Sequence, residues 1–286
     1  APLIFAAASA ENSAWRGAAL FSVQGAALVD LGPTGKRRAV MGTLAAPLPP
    51  SPSLLLEPRS QAIVDLVGND IGLSDTDIAG LAAGANRMLI GGELIQFLHA
   101  QPLGAGRWQL SGLLRGRGGT EPAALAGHPA LTSAVLLDEA LVPLDALLVP
   151  PLANARIAAI GTGDTGAVLA DLANPGLSRR PPCPVHARAF SEAGGAVLYC
   201  WTRRARGQWR WQDSVEVPLV EEREAYLVGY GSPDAPFASW LLNAASLRLT
   251  LAERTALLAT HGPATLWVRQ IGTFDQSQPV LLTSFS

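Results

Sequence analysis

The run Arg115-Gly116-Arg117-Gly118-Gly119-Thr120-Glu121 joins two arginines, three glycines and an acid in seven residues. Such a run can hold a phosphate or contact nucleic acid, because glycine lets backbone amides approach an anion while guanidinium groups pair with it. No Lys-Ser/Thr pair follows, which removes a P-loop. Arginine–glycine segments that bind RNA come as repeats in disordered sequence, whereas this one stands between apolar runs. The other reading is a rigid loop in which Arg115 and Arg117 pair with carboxylates such as Glu121 and lock a domain or subunit.

A second concentration is Trp201, Arg203, Arg204, Arg206, Trp209, Arg210 and Trp211. Interleaved tryptophan and arginine can make a surface for a protein partner or a glycan, through stacking and cation–π contact. Alternatively the arginines stack on the tryptophans and pair with Glu216, Glu221, Glu222 and Glu224 across a hairpin.

Other motifs lack their context. Gly161-Thr162-Gly163-Asp164-Thr165-Gly166 is a literal G-x-G-x-x-G. Asn174-Pro175-Gly176 would break the following helix, and no acid stands where a ribose would need one, so it reads as a turn between strands. Asp75/Asp77 and Asp138/Glu139 could in principle serve a cell-wall or capsule glycosidase, but the first pair reads as a helix cap and the second as a turn. The histidines at 99, 128, 186 and 261 stand singly, outside metal-ligand spacing. No G-x-S-x-G elbow exists. The expectation is no enzyme, no cofactor and no metal.

These residues are carried by short apolar runs cut by 29 glycines and 22 prolines, a β-rich pattern. Glu93–Ala100 and Arg107–Leu114 alternate and form a long hairpin joined by Gln101–Gly106, with the arginine loop at its exit. Further strands are expected at Leu3–Ala8, Trp15–Gln24, Ala26–Leu31, Arg38–Leu44, Gln61–Val67, Arg87–Ile90, Ala134–Leu137, Val142–Val149, Arg156–Ile160 and Ala167–Leu172. Ser74–Asp77 caps a short helix through Leu81. The composition shift at Ser178–Pro182 separates a β-rich domain, 1–177, with a sub-boundary near 46–58, from a second domain, 178–286. Strand candidates in the latter are Val185–Phe190, Ala196–Arg203, Gln208–Gln212, Ala225–Tyr230, Leu247–Leu251, Thr265–Ile271 and Val280–Phe285. Seven such runs with turns between them fit a fibronectin-III-like β-sandwich with Trp201 and Trp267 as inward anchors. The fold class is therefore mainly β.

A formal net charge of −2 gives no general attraction to nucleic acid or anionic membrane, and no stretch reads as a transmembrane helix. Cys183 and Cys200 cannot build a disulfide framework or a four-cysteine zinc site, and read as free thiols.

Gly92–Phe97, Ala100, Gly104, Trp108–Leu110, Gly112–Glu121, His128 and Val135–Asp138 together resemble a tail-tip signature, GELIQF…A…G…W/Y-x-L-x-G-LLRGRRGTE, then a histidine and VLLD. The chain departs from it at Gly118, where arginine is common; any intersubunit pair made by that arginine is missing here. Trp201–Tyr226 and Trp267–Gly272 extend the likeness. The chain thus resembles the C-terminal portion of the host-specificity, tail-tip hub proteins of gene transfer agents and related siphophages. The resemblance implies a virion or particle component at the tail tip, assembled in the bacterial cytoplasm. Its partners would be two further copies of itself in a homotrimer, other tail and baseplate proteins, and a host receptor or glycan. The glycosidase-like barrel that precedes this region in larger relatives is not implied, since nothing here supplies eight βα units.

Overall fold

The computed structural model describes residues 4–11, 13–52, 56–149, 155–172, 176–206 and 218–286. Strands predominate, and the chain divides into two compact units between Pro175 and Gly176. The first unit holds β1 (Ile4–Ala6), β2 (Ala18–Gln24), β3 (Ala27–Pro33), β4 (Met41–Leu44), β5 (Leu56–Glu57) and β6 (Ala62–Leu66). It continues through α1 (Ile78–Ala82), β7 (Arg87–Ile90), β8 (Glu93–Gly104), β9 (Arg107–Arg117) and α2 (Glu121–Ala126). It ends with β10 (Ser133–Leu136), β11 (Val142–Leu144), β12 (Arg156–Gly161) and β13 (Val168–Asp171).

The hairpin β8–β9 is longer than its apolar alternation predicts. Gln101–Gly104 continues the strand, and only Ala105 and Gly106 form the turn, with φ of 49° and 77°. Positive φ at both central residues gives the twist that lets a two-residue loop join right-twisted strands. β9 pairs with β8 on one side and with β6 on the other. Pairings β6–β4, β4–β10, β10–β7 and β7–β8 complete the circuit, so six antiparallel strands close into a barrel. Closure removes the sheet edges that would otherwise invite aggregation. Leu44, Val64, Met88, Ile95, Phe97 and Leu110, from five different strands, meet inside it. At Gly42 a Cβ would lie 1.9 Å from the Asp65 carbonyl oxygen, so the β4–β6 contact admits only glycine there.

Beside the barrel in sequence lie the four-stranded sheet β13-β12-β2-β3 and the two-stranded pair β1-β11. Gly161–Gly166 joins β12 to β13 as an antiparallel hairpin, with the Gly161 amide donating to Asp164 at 2.7 Å. This is a turn and not the strand-to-helix junction of a dinucleotide site.

The second unit holds β14 (Val185–Ser191), β15 (Val197–Thr202), β16 (Tyr226–Ser232), β17 (Ala235–Leu242), β18 (Ser246–Leu249), α3 (Leu251–His261), β19 (Thr265–Gln270) and β20 (Val280–Ser284). They form the sheets β14-β15-β18 and β17-β16-β19-β20, a three-plus-four arrangement that is fibronectin-III-like. Tyr199, Trp201, Tyr226, Val228, Tyr230 and Leu266 fill the space between them.

Two elements here depart from the sequence expectation. β17 was not foreseen: Pro236 demotes its run, and an edge strand tolerates it. Leu247–Leu251 gives way after Leu249 to α3, which starts on a Thr250–Glu253 capping box and stops at Gly262. The expected strand at Gln208–Gln212 lies outside the described residues. Trp267 is buried but not an inward anchor. Its strand neighbours Leu266 and Val268 take the inward positions, and its ring lies over Gly229, donating from Nε1 to the Gly231 carbonyl at 2.9 Å.

Candidate functional site

Arg115 is not on an exit loop. It lies within β9 and has no exposed surface. Its guanidinium fork is taken by Glu93, from Nε to Oε1 at 2.7 Å and from Nη2 to Oε2 at 2.8 Å. Glu93 shares the strand face of Ile95 and Phe97, which places a carboxylate where an apolar side chain would be expected. The Gly116 amide donates to Oε1 at 2.8 Å and His128 Nε2 stands 2.8 Å from Oε2. An ionised carboxylate only accepts, so Nε2 carries the hydrogen. The carboxylate thus accepts four hydrogen bonds, and the buried charge pair is fully solvated by protein.

The remaining contacts tie this node to the proline-rich connector. Arg115 Nη1 donates to the Pro49 carbonyl at 3.0 Å. Leu48 and His128 exchange backbone hydrogen bonds, each at 2.9 Å. The Ser51 amide reaches Ala124 in α2 at 3.0 Å. One carboxylate therefore joins β8, β9, the loop after α2 and the connector.

Arg117 donates from Nε to Gln96 Oε1 at 3.1 Å, and Gln96 Nε2 donates to the carbonyls of Leu81 and Ala85. A buried glutamine thereby serves carbonyls at the end of α1. Glu121 opens α2 and is buried, but Arg115 is held by Glu93 instead. The sequence singled out Arg115, Arg117 and Glu121 as interacting residues, whereas Glu93, Gln96 and His128 stood only within the tail-tip signature, with no partner assigned to them. The available signal was the shared face of Glu93 with Ile95 and Phe97.

In the second unit Trp201 is a core residue, packed edge-to-face on Tyr226 at 5.3 Å between centroids. It is therefore not part of a binding surface, because strand alternation turns it inward with Val197 and Tyr199. Arg206 holds Glu221 with Nε at 2.8 Å and Nη2 at 3.0 Å, and the Thr273 amide reaches the same carboxylate at 2.7 Å. Burial pushes the Glu221 carboxyl up, but Arg206 and Thr273 outweigh it and leave the group below its ordinary value. Arg203 donates to the Pro218 carbonyl and lies 3.8 Å from Glu224, and Arg204 exchanges backbone contacts with the Gln270 side chain. Tyr226 donates to Glu224 at 2.7 Å, and burial followed by that carboxylate raises its phenol strongly. Trp209, Arg210, Trp211 and Glu216 lie outside the described residues.

The carboxylate pairs have local tasks. Asp77 caps α1 through the Gly80 amide at 2.7 Å, and Asp75 accepts from the Ala100 amide at 2.8 Å and pairs with His99. Asp138 accepts from Ala140 and Arg37. Among the described residues no three His, Cys, Asp or Glu side chains converge as a metal site. Cys183 and Cys200 are not joined in a disulfide. No helix among the described residues is long and apolar enough to cross a membrane.

The profile of one family, described as Rcc01698-like, C-terminal, matches residues 39–135, the stretch that builds the barrel from β4 into β10. No curated protein matches the chain. Among solved structures, the chain is similar to the FN1–FN3 domains of chicken CNTN1, at 9% identity and a TM-score of 0.23, covering 96% of this chain and 89% of that one. Likeness at that score carries no argument, and the sandwich assignment rests on the strand order above.

Proposed function

We propose that the chain is a structural, non-enzymatic component of a phage-like tail tip, from a gene transfer agent or siphophage. It acts in tail assembly and host attachment through protein–protein contacts, as a homotrimer beside other tail and baseplate proteins. The observation that carries this reading is the use made of the signature stretch. Arg115 and Glu93 satisfy one another inside the barrel, so the residues that support the resemblance make a rigid domain instead of presenting a charged loop to a ligand. The Rcc01698-like match over the same strands is consistent with a domain shared within a family. The closed barrel and the sandwich are the kind of rigid, edge-managed modules that a particle exterior requires.

A glycan-binding role for the second unit is the weaker reading. Trp201 is buried, and Arg203 and Arg206 are engaged by Glu224 and Glu221. It would rest on Trp209 and Trp211, and glycan-array binding abolished by Trp209→Ala and Trp211→Ala would restore it.

The direct test labels the chain in the cells that make the particles and images purified particles. Three copies at the distal end of the tail are expected. Particles that lack the label, or a chain that stays monomeric beside its tail partners, would overturn the reading.

A further inference from the structure

Three tyrosines pack into the core of the second unit, and one of them has a hydroxyl with nothing to bond. Tyr226 donates to Glu224 at 2.7 Å and Tyr230 to the Gly262 carbonyl at 2.6 Å. Tyr199 is 2% exposed, and its hydroxyl has no hydrogen-bond partner among the described residues. That hydroxyl is not among the sealed polar atoms, so it keeps surface that solvent reaches. Tyr199 lines a cavity of about 200 Å³ whose other walls include Leu251, Arg254, Leu258, Thr283 and Phe285. Buried polar groups are nearly always satisfied, so a hydroxyl left open to a cavity asks for an acceptor there.

Arg254 stands on the same cavity without an acid to answer it. Its Nη1 reaches the Gly195 carbonyl at a long 3.4 Å, and its guanidinium lies over the Phe285 ring, 5.5 Å from the centre. Among the described residues no carboxylate pairs with it. The neighbouring acids are engaged: Glu253 closes the α3 capping box with Thr250, and Glu192 accepts from Arg248 at 2.7 Å. Arg254 Nη2 makes no hydrogen bond and, like the Tyr199 hydroxyl, is not sealed. Burial raises the Tyr199 phenol and the Arg254 charge only partly offsets this, so the phenol stays protonated and able to donate. Among the described residues no acidic side chain lines the cavity. An unpaired guanidinium and a free hydroxyl favour an acceptor-only anion. The volume lies below the roughly 300–1,000 Å³ of drug-sized sites, which limits the ligand to a few carbons.

We propose that this cavity binds a carboxylate on a short apolar stem, either a free acid or the carboxy terminus of a peptide. Arg254 Nη2 and the Tyr199 hydroxyl donate to the carboxylate oxygens, while Leu251, Leu258 and Phe285 cover the stem. The site is independent of the Glu93 node and of the assembly role proposed above.

The test titrates the 15N-labelled full chain with isovalerate and follows the amides of α3 and β20 by NMR. A saturable shift is expected with isovalerate and none with isovaleramide, which keeps the shape and removes the charge. Arg254→Gln should weaken binding by about tenfold or more, and Tyr199→Phe by about fivefold. No group in the fold uses the Tyr199 hydroxyl, so Tyr199→Phe should unfold with the parent chain; a lost contact is thereby separated from a damaged core. N-acetyl-alanyl-leucine distinguishes the sources: tighter binding than isovalerate marks a peptide terminus, weaker binding a free acid. Absence of a saturable shift, equal binding of isovaleramide, or an affinity unchanged in Tyr199→Phe would each overturn the proposal.

Discussion

Glu93 and Glu221 are both carboxylates sealed from solvent and both gripped by an arginine fork, one in each unit. Glu93 and its partner Arg115 are each 0% exposed in their side chains, whereas Glu221 is 3% exposed and its partner Arg206 is 22% exposed. Water can therefore reach the cation of the second pair but neither member of the first. A half-open pair can lose one member and have the other partly rehydrated. A closed pair cannot, so its loss leaves a charge stranded in the interior. The same two residue types thus make an obligatory element of the barrel and a more tolerant clasp in the sandwich.

The largest expected effect follows from that contrast. Arg115→Ala should destabilise the first unit by about 3–5 kcal/mol, because Glu93 would remain buried without its cation. Urea unfolding followed by circular dichroism measures this, and an effect below that of Arg206→Ala would reverse the ranking. Arg206→Ala should cost about 1.5–3 kcal/mol, the loss of charged hydrogen bonds with partial compensation by water.

Much of this asymmetry was hidden in the sequence. The β8–β9 hairpin was legible from its alternation, and Arg115 was marked by its neighbours. Glu93 was not, because a glutamate opening a strand resembles an ordinary exposed end. Its burial depends on β9 returning to pair with it more than 20 residues later, with Arg115 the 22nd residue after it. Barrel closure was similarly illegible: β4, β7 and β10 have four residues each, too few for alternation to say which strand pairs with which. In the sandwich, Trp201 reads both as an inward anchor and, because of the arginines after it, as part of a surface; alternation with Val197 and Tyr199 turns it inward, as the anchor reading has it. α3 could have been read from Thr250, Glu253 and Gly262, but the apolar run Leu247–Leu251 masked its start.

Acid should sharpen the comparison through the second pair. The folded Glu221 carboxyl lies below its ordinary value of 4.5, so its contribution to stability is present above that value and is lost as pH falls through the lower folded value. Glu221→Gln should flatten the acid limb of the stability profile of the second unit. An unchanged limb would show that the Arg206 and Thr273 contacts do not favour the ionised form.

The smallest effect belongs to a local device. Thr250→Ala removes the hydroxyl that accepts from the Glu253 amide at 3.2 Å and should cost about 1 kcal/mol. Thermal unfolding of the second unit reads this, and a loss matching that of Arg206→Ala would mean α3 contributes more than its cap.

The most direct measurement of the central claim is a double-mutant cycle on Glu93→Gln and Arg115→Met, with stability read by urea unfolding. If the signature arginine is an internal structural partner of Glu93, the two changes should be strongly non-additive, with a coupling of about 2–3 kcal/mol. Additive effects, or single variants as stable as the parent chain, would contradict it and return Arg115 to the role of a ligand-facing residue.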